Sequence, residues 1–106
     1  MKNLSFDWDE KNIGHLALHQ ISPAEAEQVL GNRPRDLEFE LRNGEERVTQ
    51  IGETDAGRIL IVISTMQDRK VRVVTAWIAK ERLRRYFQTQ KRNGNVGRIE
   101  KHDLRE

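Results

Sequence analysis

Leu4, Phe6 and Trp8 alternate with Ser5 and Asp7, so the opening residues read as a short strand or an extended arm. From Asp9 the period changes. Ile13, Leu16 and Ala17 fall at helical spacing, and Asp9 and Glu10 put acid at the helix start, where the backbone dipole favours it. Ser22-Pro23-Ala24-Glu25 is a capping box with proline in the first helical position. Ala26, Val29 and Leu30 give that second helix an apolar stripe, and Gly31 can stop it. Leu37, Phe39 and Leu41 then alternate with Glu38, Glu40 and Arg42, the signature of a strand with one face in and one out. Asn43-Gly44 predicts a hairpin turn. A second strand is expected near Arg47–Gly52, followed by a turn at Thr54–Gly57. Arg58–Thr65 is apolar on both faces, as a central strand covered on both sides should be. Asp68-Arg69-Lys70 makes a third turn before the β-branched strand Val71–Ala79. Lys80–Lys91 returns to helical spacing, with Leu83, Tyr86 and Phe87 inward and Arg82, Arg84, Arg85 and Arg92 outward.

The predicted architecture is therefore α+β: two N-terminal helices, a four-stranded antiparallel meander and a C-terminal helix. With 106 residues the chain has the size of one hydrophobic core. Residues 1–92 are expected to form that domain, and 93–106, which open Asn93-Gly94-Asn95-Val96-Gly97, a polar, flexible tail. The longest apolar run, Ile59–Ile63, is too short to span a bilayer, and no apolar leader opens the chain, so a cytoplasmic protein without membrane contact is expected. The absence of cysteine excludes a disulfide scaffold and a thiolate nucleophile.

Charge divides the molecule. Residues 1–57 carry six Lys/Arg against twelve Asp/Glu, whereas residues 58–98 carry eleven against two, within a formal net charge of +2. Such asymmetry suits an anionic partner such as nucleic acid for the basic half, or simple neutralisation of one half by the other. The acidic half is expected to pack near basic surface on a protein partner.

His15 and His19 have the i, i+4 spacing of metal-binding pairs, but His15-Leu16-Ala17-Leu18-His19 lacks the glutamate of a hydrolytic zinc site, and no metal is expected. Ser22 is committed to capping, Glu45-Glu46 flank a hairpin turn, and no glycine-rich phosphate loop or cofactor motif is present. What the chain does offer is Arg47, Arg58, Arg72, Lys80, Arg82 and Arg85, with Trp77 and Tyr86 beside them in sequence. Arginines neutralise phosphate and aromatics stack on unpaired bases. A metal-free ribonuclease needs a base for a 2′-hydroxyl, cations for the scissile phosphate and an acid for the leaving oxygen. For the base and the acid, His19, Glu46, Lys80 and Tyr86 stand equal. Trp77 and Tyr86 also fit core or rim packing, the Arg82-Arg84-Arg85 run a solvated helix face, and Arg58 an ion pair with the acidic helix.

The chain resembles the BrnT-type toxins of bacterial type II toxin–antitoxin systems, compact ribonucleases of RelE-like fold. The likeness opens with Phe6-Asp7-Trp8-Asp9-Glu10-Lys11-Asn12 and continues through His19 and Ile21-Ser22, with Leu18 and Gln20 where Lys and Gly are usual. Glu46-Arg47, Ile51-Gly52 and Gly57-Arg58 fit the middle, and Arg72 to Ala76, Ala79, Glu81-Arg82 and Tyr86 fit the end. The family's last strand commonly closes Ser-Ala-Arg-Lys/Arg-Ala; here Thr75-Ala76-Trp77-Ile78-Ala79 puts tryptophan in place of an arginine. The resemblance implies a translation-inhibiting endoribonuclease acting on mRNA, free or on the ribosome, and a DNA-binding antitoxin that neutralises it. On this reading His19, Glu46, Arg47, Arg72, Lys80 and Tyr86 are the catalytic candidates, and Arg58, Trp77, Arg82 and Arg85 the RNA-binding ones. The rival reading is a non-catalytic RNA- or protein-binding domain of the same fold.

Overall fold

The computed structural model describes residues 4–93 and 101–104. Helix α1 (Glu10–Ala17) starts on a reciprocal cap: Asn12 N–H donates to Asp9 Oδ1 at 2.9 Å and Asp9 N–H to Asn12 Oδ1 at 2.8 Å. Helix α2 (Pro23–Gly31) repeats the device. Glu25 N–H donates to Ser22 Oγ at 3.2 Å and Ser22 N–H to Glu25 Oε1 at 3.1 Å. Each box satisfies donors that a helix N-terminus leaves unpaired.

Four strands follow, β1 (Arg35–Arg42), β2 (Glu45–Glu53), β3 (Ile59–Gln67) and β4 (Lys70–Ile78), in an antiparallel meander of order β1-β2-β3-β4. Asn43 (φ 52°) and Gly44 (φ 80°) turn β1 into β2 with the left-handed backbone that tight hairpins require. Helix α3 (Glu81–Asn93) follows β4. The α+β meander and its order are those the sequence pattern predicts. The N-terminal segment is an arm on the outer edge of β4. Phe6 bridges Val71 in parallel, and Trp8 Nε1 donates to Glu27 Oε2 at 2.8 Å, tying the arm to α2.

The sheet is buried on both faces. On one, Leu16, Ile21, Ala26, Val29 and Leu30 of the α1–α2 region pack on Leu60, Val62, Val71, Val73 and Ala76. On the other, Leu83 and Phe87 of α3 pack on Ile51, Ile59, Ile61 and Trp77. Residues 59–65 of β3 are thus covered from both sides, as their continuous apolar run requires. A register shift between Ile63 and Ser64 opposes them to Thr75 and Val73, so Val74 is left without a partner. Val71 and Val73 therefore face α1 and α2, while Thr75 and Trp77 face α3.

β1 departs from expectation. A second register irregularity, between Asp36 and Glu38, sends Leu37 to the α3 side. Phe39 and Leu41 face the α1–α2 side yet are 73% and 71% exposed, because those helices pack over β2, β3 and β4 and stop short of this end of β1. Of the tail, residues 94–100 and 105–106 lie outside the described residues, as does the side chain of Arg92. Lys101–Leu104 forms a single 3-10 turn, with Leu104 against the α3-side core and Asp103 buried 3.5 Å from Arg82. Among the described residues no helix is long and apolar enough to cross a membrane.

Candidate active-site cleft

Thr65 on β3 is paired with Arg47 of β2 on one side and with Arg72 of β4 on the other. Residues directly opposite in antiparallel strands share a face, so the three side chains form one row across the α3 side of the sheet. At the outer edge of β4, α1 contributes Lys11, Asn12 and His15. Together with Glu45 these residues line a cleft of about 290 Å³. Lys11 and His15 are four apart on the helix and so occupy one face of it.

Each arginine is held by acid. Arg47 Nε donates to Glu45 Oε1 at 2.9 Å, and Arg72 Nη2 donates to Asp9 Oδ2 at 2.8 Å, with Nη1 3.5 Å from Asp7 Oδ2. The Asn12 backbone N–H, followed by the Arg72 guanidinium, holds the Asp9 carboxyl below the usual aspartate range, and Asp9 in turn raises Arg72. Both guanidiniums keep further N–H donors for a ligand. The buried Thr65 Oγ1 donates to the Glu46 carbonyl at 2.6 Å, fixing the floor between them.

Of the catalytic candidates read from sequence, Arg47 and Arg72 are brought together. Glu46 is not beside them: strand alternation puts Glu45 in the cleft and Glu46 on the opposite face, across from Leu41. His19 lies in the turn after α1, its ring stacked on His15 with centroids 6.1 Å apart, and it is His15 that lines the cleft.

The remaining candidates belong to the other end of the sheet, where Ala79 N–H donates to Ile59 O at 3.0 Å between Arg58 and Lys80. Arg58 Nη1 donates to Glu25 Oε2 at 2.6 Å and to Gln20 O at 3.3 Å. Burial pushes the Glu25 carboxyl up, but the Ser22 N–H and the Arg58 guanidinium outweigh it and hold it below the ordinary range. Trp77 is buried beneath α3, and its Nε1 finds no acceptor among the described residues. Tyr86 packs at the rim of that core, Lys80 is exposed, Arg82 approaches Asp103, and Arg85 pairs with Glu81 at 2.6 Å. Lys11 and Thr65 escaped the sequence reading, which weighed His15 only as a metal-binding partner of His19 and Glu45 only as part of a hairpin. Only the helix face that Lys11 shares with His15 could have signalled one of them.

A guanidinium pair with an imidazole, an ammonium and a carboxylate around one small cleft can hold a phosphate group and exchange protons beside it. The model of the ribonuclease toxin BrnT of type II toxin–antitoxin systems matches residues 8–82, and the chain belongs to that family. RNA is accordingly its substrate class and an antitoxin its partner. No curated protein matches the chain.

Proposed function

We propose that this toxin is a metal-independent endoribonuclease that stops translation by cutting mRNA, and that the cut is made in the cleft between Arg47 and Arg72. The observation that carries the reading is the row Arg47–Thr65–Arg72 with His15 at its rim. Neighbouring strands lie about 4.8 Å apart, so the two arginine Cα atoms are separated by roughly 10 Å, a span that lets both guanidiniums reach one phosphate.

In this mechanism a base takes the proton of a ribose 2′-hydroxyl, and the freed oxygen attacks the adjacent phosphorus. The 5′-oxygen leaves with a proton from an acid, giving a 2′,3′-cyclic phosphate. Arg47 and Arg72 stabilise the charge that builds on the phosphate oxygens. Histidine is the side-chain type suited to both proton transfers near neutral pH, and His15 is the one in the cleft. Glu45, anchored on Arg47, is the second proton-transfer group. RNA binding replaces some of the carboxylate contacts of the arginines by phosphate.

The test is cleavage of a synthetic single-stranded RNA by purified toxin in EDTA. Wild type is expected to cut, an RNA with 2′-deoxyribose at the cleavage site to resist, and Arg47→Ala and His15→Gln each to lose about 100-fold or more in rate. His19→Gln should stay close to wild type. Cleavage that requires a divalent cation, or that survives Arg47→Ala, sinks the assignment. Growth arrest on induced expression, relieved by Arg47→Ala, checks the translational effect.

A further inference from the structure

On the face opposite the cleft, the part of the sheet that α1 and α2 leave bare forms a broad groove of about 1070 Å³. Its apolar floor comes from Phe39, Leu41 and Met66, which are 73%, 71% and 61% exposed. Phe39 stands opposite Val48, which carries the apolar surface onto β2, and Leu41 stands opposite Glu46, which sets a carboxylate beside it. Apolar side chains this large and this exposed, grouped on one surface, mark a site of association. Among the described residues β1 is also an edge strand paired with β2 alone, an open template for an added segment.

Charge selects the occupant. The charged residues that line the groove are Arg33, Glu45, Glu46 and Arg47, two of each sign, with Glu45 and Arg47 paired to each other. A lining of mixed sign around an apolar floor matches a polypeptide that carries both charges, and gives a polyanion no net attraction. Among the described residues the exposed carboxylate of Glu46 has no ion pair, and Arg33, at the α2 wall of the groove, has none either. The groove thus offers an apolar floor with an unpaired acid towards one end and an unpaired cation towards the other.

We infer that this groove seats an amphipathic segment of the antitoxin, whose apolar residues cover Phe39, Leu41 and Met66, with a Lys or Arg meeting Glu46 and an acidic residue meeting Arg33. Glu46 then serves recognition. Glu45, Arg47 and Thr65 line both the groove and the cleft, so a segment held here abuts Arg47 and can close the cleft from behind. The binding claim rests on family membership; only its inhibitory consequence rests on the proposed cleft.

The test is the affinity of full-length toxin for its full-length cognate antitoxin, by titration calorimetry, for wild type, the double variant Phe39→Ser/Leu41→Ser and Glu46→Lys. Because these side chains are exposed, the variants should remain folded, which circular dichroism verifies. Each is expected to weaken binding by more than about 10-fold, and the wild-type affinity should fall with salt. The double variant should still cut RNA at the wild-type rate while escaping inhibition at antitoxin concentrations that silence wild type. Wild-type affinity in both variants overturns the inference. So does a double variant that loses RNA binding but keeps the antitoxin, which makes the groove an RNA surface. A toxin that dimerises through Phe39 and Leu41, with antitoxin affinity untouched, overturns it equally. If wild type cuts no RNA, the cleft assignment fails and the affinity comparison still decides this one.

Discussion

Arg47 and Arg72 face each other across Thr65, each paired with it in the sheet, and each guanidinium is steadied by a carboxylate from its own neighbourhood: Glu45 for Arg47, Asp9 for Arg72. The two contacts differ in reach. Glu45 is two residues from Arg47 on the same strand, whereas Asp9 caps α1, so Arg72 also joins the N-terminal arm and helix to β4.

That second role makes Arg72 a source of pH-dependent stability. The Asp9 carboxyl is lowered in the folded state from its ordinary 3.8. Its contribution is therefore fully present above that value and is lost as pH falls through the lower folded one. In urea melts, the stability gap between wild type and Arg72→Met should be constant from pH 7 down to about pH 5 and should close in stronger acid. A gap that persists unchanged at pH 2 would show that the loss is packing alone.

Arg58 is expected to matter for stability and to leave catalysis alone. Its guanidinium joins β3 to Glu25 and to the Gln20 carbonyl before α2. Arg58→Ala should cost about 1 kcal/mol in chemical denaturation, since the pair is only partly shielded from water, and should leave the RNA cleavage rate unchanged. A rate loss at full stability would place Arg58 on the RNA path.

Trp77 is buried under α3, so Trp77→Ala should cost roughly 3–5 kcal/mol by opening a cavity. Trp77→Phe should cost far less, because it also removes an indole N–H that has no acceptor among the described residues. Trp77→Arg, which restores the residue type usual in the family, should be severely destabilising here, as it buries a charge in an apolar core. Thermal melts of the three variants rank these outcomes; a stable arginine variant would mean that α3 can leave the sheet.

At Gly52 helix α2 lies close against the sheet. A Cβ there would lie 2.8 Å from Val29 Cγ1 and 3.2 Å from Pro34 Cβ. Gly52→Ala should therefore destabilise by about 1–3 kcal/mol through overpacking, with no direct effect on the cleft. Melting temperature against cleavage rate separates the two: both falling together at a temperature well below the melt would implicate the site.

Local chemistry was legible in the sequence wherever a device acts over a few residues. Ser22 and Glu25 announce a capping box, Asn43-Gly44 a hairpin, and the apolar run from Ile59 a doubly covered strand; the structure has all three. The family resemblance was readable too, because it rests on residue order. Of the residues that line the cleft, Arg47 and Arg72 were singled out from charge and type. His19 and Glu46 were named from sequence, whereas the cleft is lined by their neighbours of the same chemistry, His15 and Glu45.

Those substitutions of one neighbour for another show where sequence stops. In a strand, adjacent residues point to opposite faces, so a single step of register exchanges Glu45 for Glu46. The register shift at Val74 likewise decides that Trp77 enters the α3 core, and the irregularity near Leu37 separates it from Phe39 and Leu41. The sequence by itself determined the elements, their order, the charge division and the family, because these depend on local conformational preference and composition. Which side chains share the cleft, and which apolar face stays bare, was decided only by strand register and by how far two short helices reach across the sheet, quantities set by long-range packing.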